Sequence, residues 1–85
     1  MVPYIKKEQR VEFDFCIKDL NPENAGQLNY VITMLCNEYL TKKGRNYENY
    51  NSVIGVLECA KLEYYRRAVV GYENEKIKDN GDLYE

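Results

Sequence analysis

The sequence predicts an all-α fold: a small helical domain built on an antiparallel helix hairpin, with an N-terminal segment open between helix and short strand. Three observations lead there. Apolar residues recur at steps of three and four over two stretches, from Leu28 to Leu40 and from Tyr50 to Val69, which is the period of an amphipathic helix. Capping residues stand where those stretches begin and end. The connection between them, Arg45 to Glu48, is short, and short helix connections place neighbours antiparallel.

Pro3 opens the chain, and residues 6–20 admit two readings. Val11, Phe13, Phe15 and Ile17 alternate with Glu12, Asp14, Cys16 and Lys18, a period of two that fits a strand. Val11 with Phe15 and Phe13 with Ile17 are equally i,i+4 pairs of a helix. A strand here has no internal partner and would pair with its copy across a dimer. Asn21, Pro22, Glu23 and Asn24 break the chain.

A helix over 24–44 follows. Asn24 is its N-cap, and Gln27 is placed to reach back as in a capping box. Leu28, Val31, Ile32, Leu35, Cys36, Tyr39 and Leu40 form its stripe. Lys42 and Lys43 suit the negative end of the helix dipole, and Gly44 suits the C′ position. A longer helix is predicted over 49–79, capped by Asn49. Its stripe is Tyr50, Val53, Ile54, Leu57, Lys61, Tyr64, Tyr65, Ala68 and Val69, widened by Val56 and Leu62. Gly71 is the place for a bend, because glycine weakens a helix by about 1 kcal/mol relative to alanine. Asn80-Gly81-Asp82 reads as a turn. The 85 residues make one domain, 1–85.

Composition narrows the function. Twelve basic against fourteen acidic residues give a net charge of −2, so no general nucleic-acid binding is expected. No apolar run approaches the roughly 20 residues of a membrane span. Met1 to Arg10 is charged almost from the start, so no signal peptide is read. Cys16, Cys36 and Cys59 are scattered and histidine is absent. The expectation is a reduced, metal-free protein without a cofactor. Without histidine the usual nucleophile–base pairs are missing, and no enzyme is expected. Nine tyrosines stand against two phenylalanines. Their rings bury apolar area while the hydroxyl seeks a partner, which suits thin cores, interfaces and pockets.

Three stretches carry a family resemblance: Gln27-Leu28-Asn29-Tyr30-Val31-Ile32-Thr33, then Val53 through Arg67 (VIGVLECAKLEYYRR), then Tyr72 through Asp82 (YENEKIKDNGD). Over about residues 27–82 the chain resembles a family of short uncharacterised bacteriophage and prophage proteins. The first twenty residues match poorly. Relatives often carry proline where Gly71 stands here. The resemblance implies a phage accessory protein in the host bacterial cytoplasm. It transfers no catalytic or binding residue.

The residues themselves suggest one candidate ligand site. Lys61 lies within an apolar stripe, where a charge needs a partner or water. Tyr65, four residues on, faces the same way, and Arg66 and Arg67 follow. Arginine grips phosphate or carboxylate in bidentate fashion. Arg45 and Tyr47 form a second group, which a hairpin would place roughly two to three helical turns from Lys61. The plain alternative is a solvated face, with Glu63–Arg67 and Glu58–Lys61 as ordinary surface pairs.

Val53, Val56, Leu62, Tyr65 and Val69 do not all fit against one neighbouring helix, because a packed helix buries a stripe of limited width. A homo-oligomer, most simply a two-fold dimer, would cover the remainder. The rival cover is the segment Val11–Ile17 folding back. The expected function is a non-enzymatic, oligomeric interaction protein that counteracts host defence, with a host protein as partner. The alternative is sequestration of a small anionic nucleotide at subunit boundaries.

Overall fold

The computed structural model describes residues 5–84; Pro3 lies outside them. The described residues are helical, without strands. The helices are α1 (Lys7–Leu20), α2 (Ala25–Lys43), α3 (Tyr47–Tyr64), a π-helical turn (Tyr65–Val69) and α4 (Val70–Asn80). The chain divides into two units, Met1–Asn46 and Tyr47–Glu85.

In the first unit the N-terminal segment is a helix. Gln9 caps it from both sides: its amide N–H donates to the Lys6 carbonyl at 2.9 Å, and its side-chain oxygen accepts from the Lys6 N–H at 3.0 Å. Asn21 ends it at φ 42°, ψ 58°, the left-handed conformation that asparagine tolerates best after glycine. Pro22 then prevents continuation. A strand-like alternation wound on a helix splits its apolar residues over two sides. At about 100° per residue, Val11 and Phe15 fall on one side, and Phe13, Ile17 and Leu20 on roughly the opposite one. All five are exposed, Phe15 to 76%.

Helix α2 has the predicted bounds and caps. The Asn24 side chain accepts from the Gln27 N–H at 2.8 Å. Gln27 does reach back, but to the Glu23 N–H at 2.7 Å rather than to Asn24. At the far end Gly44, at φ 110°, donates its N–H to the Leu40 carbonyl at 2.8 Å. Arg45 folds back over the last turns, donating to Asn37 Oδ1 at 2.8 Å and Thr41 Oγ1 at 3.0 Å. Leu40 is the one buried side chain among the described residues, 6% exposed, with Cys36 and Asn37 half-buried beside it. That line lies about 100° round the helix from the centre of the predicted stripe. Leu28, Leu35 and Tyr39 at that centre are exposed, Leu35 to 59%. No surface of the first unit covers them.

The second unit is one helical run over 47–80 followed by a short tail. It starts at Tyr47, so Asn49 lies inside the helix rather than capping it. Tyr64, Val69 and Val70 all keep α-type backbone angles, and the helix continues through Gly71 in α4. The departure from regular helix sits one turn earlier than the predicted bend. Between Tyr65 and Val69 the turn widens, and the Val70 N–H reaches the Tyr65 carbonyl, an i→i−5 bond. Gly81, at φ 85°, ends α4 by donating its N–H to the Ile77 carbonyl at 2.8 Å. No side chain described in this unit is buried.

Candidate functional site

Most of the predicted ligand residues gather at the end of α3 and in the π turn. Arg66 and Arg67 are consecutive, and both lie in the widened turn. Both reach back to Glu63, whose side chain is only 20% exposed. Arg66 Nη2 donates to both carboxylate oxygens of Glu63 at 3.0 Å. Arg67 Nη1 stands 3.6 Å from Oε1 of the same group. Two guanidinium groups therefore share one carboxylate, while remaining mostly exposed themselves. Lys61 Nζ pairs with Glu58 Oε1 at 3.2 Å, both side chains well exposed. Pairs this open to water contribute about 0–1 kcal/mol each, so they orient side chains more than they stabilise the fold.

Tyr65 takes a partner that helical periodicity conceals. Its hydroxyl donates to Glu73 Oε1 at 2.8 Å. Eight residues along a regular α-helix advance about 12 Å and end about 80° out of line. The π turn absorbs close to one residue of rotation, which brings position 73 nearly back over position 65. The charged run Glu73, Glu75 and Asp79 reads in sequence as a solvated face, and only the local widening singles out Glu73.

That hydrogen bond, reinforced by the carboxylate charge, raises the Tyr65 pKa above the ordinary 10.0. The folded value exceeds the unfolded one, so the associated stability is present below about pH 10. It is lost as pH rises through the folded value. The Tyr65 ring is expected to titrate above 10, and Glu73→Gln to lower that value by removing the charge. A ¹³C-tyrosine titration checks it; an unchanged Tyr65 midpoint in the variant would contradict the assignment.

Arg45 and Tyr47 are placed differently. Arg45 belongs to the first unit, folded onto the end of α2. Tyr47 is the first residue of α3 and 83% exposed. It precedes Lys61 by fourteen positions, about 21 Å or nearly four turns along the helix. The expected two to three turns understated that separation.

Cys16, Cys36 and Cys59 are free thiols. Among the described residues no three His, Cys, Asp or Glu side chains gather as metal ligands. No helix there is long and apolar enough to cross a membrane. Open concavities lie at the α1–α2 joint, lined by Leu20, Pro22, Gln27 and Tyr30, and beside α4, lined by Tyr72, Lys76 and Leu83. Neither includes Lys61, Arg66 or Arg67 in its lining.

No curated protein and no solved structure matches the chain. A family defined by a domain of unknown function, DUF6899, matches residues 2–83, and the chain belongs to it. The match takes in the N-terminal twenty residues as well, so helix α1 is part of the family domain rather than an unrelated extension.

Proposed function

We propose that this DUF6899 chain is a non-enzymatic helical interaction protein that works as a homo-oligomer, most simply a two-fold dimer with the long helix at its interface. The observation that carries this reading is the second unit. Its helix bears Tyr50, Ile54, Leu57 and Tyr64 along one side and Val56, Leu62 and Tyr65 beyond it, and buries none of them by itself. A lone helix gains its stability in water mainly by packing such a side against something. In this reading α2 packs antiparallel on α3 and a second copy covers the rest. Its setting is that of a phage accessory factor in the bacterial cytoplasm, counteracting host defence through a host protein. The sequence resemblance to phage and prophage proteins supports that setting.

Sedimentation from low to high micromolar concentration tests the oligomer. The expected species is twice the 10.1 kDa chain mass. A species of chain mass alone at high micromolar concentration would end the reading.

A second reading is favoured by Arg66 and Arg67. Two exposed guanidinium groups on one carboxylate offer several donors to an incoming phosphate, and the Tyr65 ring stands in the same turn. The chain would then sequester a small anionic nucleotide at subunit boundaries, with the phosphate displacing Glu63. Titration with cyclic nucleotides separates the two readings. Saturable binding lost in Arg66→Gln/Arg67→Gln supports the second; one stoichiometric protein pulled down from infected cells supports the first.

A further inference from the structure

We infer that the Tyr65–Glu73 hydrogen bond sets the rotational register of α4 against α3 by holding the π turn open. An α-helix is the default for this backbone, and single π turns within one are rare. Something local must favour the wide turn over its α alternative, in which the Val70 N–H would move from the Tyr65 carbonyl to that of Arg66. No proline or glycine lies within Tyr65–Val69. The side-chain ties differ in what they require. Glu63 with Arg66 and Arg67 are i,i+3 and i,i+4 pairs, which an ordinary helix also forms. Tyr65 with Glu73 is an i,i+8 pair, and alignment at that spacing depends on the extra residue in the turn.

The register has a consequence for the surface. Tyr64 and Tyr72 are also eight residues apart. The wide turn brings Tyr72 back towards the side of the helix that carries Val53, Leu57 and Tyr64. Lys76, its Nζ 5.6 Å from the centre of the Tyr72 ring, moves with it. Closing the π turn would rotate α4 by about one residue, roughly 100°, and carry Tyr72 off that side. Beyond its chain neighbours and the backbone of its own helix, Gly71, immediately past the turn, has no atom within 4 Å of where a Cβ would stand, so no side-chain packing there opposes rotation. The register coupling holds whether or not that side is covered by another surface.

The test is NMR scalar coupling across the hydrogen bond in the labelled, full-length protein. In the wild type the Val70 amide nitrogen should couple to the carbonyl carbon of residue 65. In Tyr65→Phe and in Glu73→Ala the coupling should pass to the carbonyl of residue 66. Glu73→Gln, which keeps a side-chain oxygen acceptor, should retain the wild-type coupling. Coupling to residue 65 that persists in Tyr65→Phe or Glu73→Ala overturns the inference. Loss of every helical coupling beyond Val70 in both variants overturns it too, since the bond would then hold the helix rather than its register.

Discussion

In the proposed dimer, Leu62→Asp is expected to return the protein to single chains at concentrations where the unaltered chain associates. Within the chain Leu62 is 57% exposed, and it lies near the end of α3 among the residues that exceed the width of one packed stripe. Truncating a buried leucine to alanine costs about 2–5 kcal/mol. A carboxylate in the same place adds the penalty of an unpaired buried charge. If the second copy covers this position, even the lower figure weakens association by about 30-fold, since 1.4 kcal/mol is a factor of ten. Sedimentation of wild type and variant across the same concentration range measures it. A variant that associates as tightly as the wild type would remove Leu62 from the interface. Leu35→Ala on α2 makes the companion case. With Leu35 59% exposed, its loss matters only if another surface covers it.

The helical architecture was legible because two independent signals agreed. Periodicity marked α2 and α3, and local capping chemistry marked where α2 begins and ends. Asn24 and Gly44 do what their residue types suggest. Residues 7–20 were ambiguous for a definite reason: Val11, Phe13, Phe15 and Ile17 satisfy the i,i+2 and i,i+4 patterns together. Burial normally separates the two, and within its own unit α1 buries neither side. The helix end at Tyr47 escaped because Asn49 resembles a cap, while Glu48 in the first turn already suits the dipole.

The candidate site was only partly legible. Lys61, Arg66 and Arg67 could be grouped from spacing, as could their carboxylate partners Glu58 and Glu63, because those pairs lie within one turn. The link from Tyr65 to Glu73 could not. Periodic reasoning assumes 3.6 residues per turn throughout, and one widened turn shifts the phase of everything beyond it. Gly71 drew attention to the right neighbourhood as the least helix-favouring residue there, yet the widening falls on Tyr65–Val69 just before it.

Gly44→Ala is expected to destabilise the end of α2 by about 1–3 kcal/mol, the range for a residue held in a sparsely populated backbone region. Gly44 stands at φ 110°, ψ 145°, where only glycine is comfortable because it has no Cβ. An alanine can keep those angles at the full cost of strain. Alternatively it can rotate to negative φ, which redirects the chain after Gly44. That rotation disturbs the fold-back of Arg45 onto Asn37 and Thr41. Either route falls beside Leu40, the best buried of the described side chains. For a domain of this size each kcal/mol lowers the melting temperature by about 4–8 °C. Gly81→Ala is the internal comparison. Its glycine has nearly the same conformation, φ 85°, ψ 152°, but it follows α4, where no described side chain is buried and the last turn can fray at little cost. Thermal melts followed by circular dichroism should therefore show a clear drop for Gly44→Ala and almost none for Gly81→Ala. Equal melting temperatures for the two variants would mean that the α2 terminus relaxes as freely as the α4 terminus. Arg45 would then have no part in holding it.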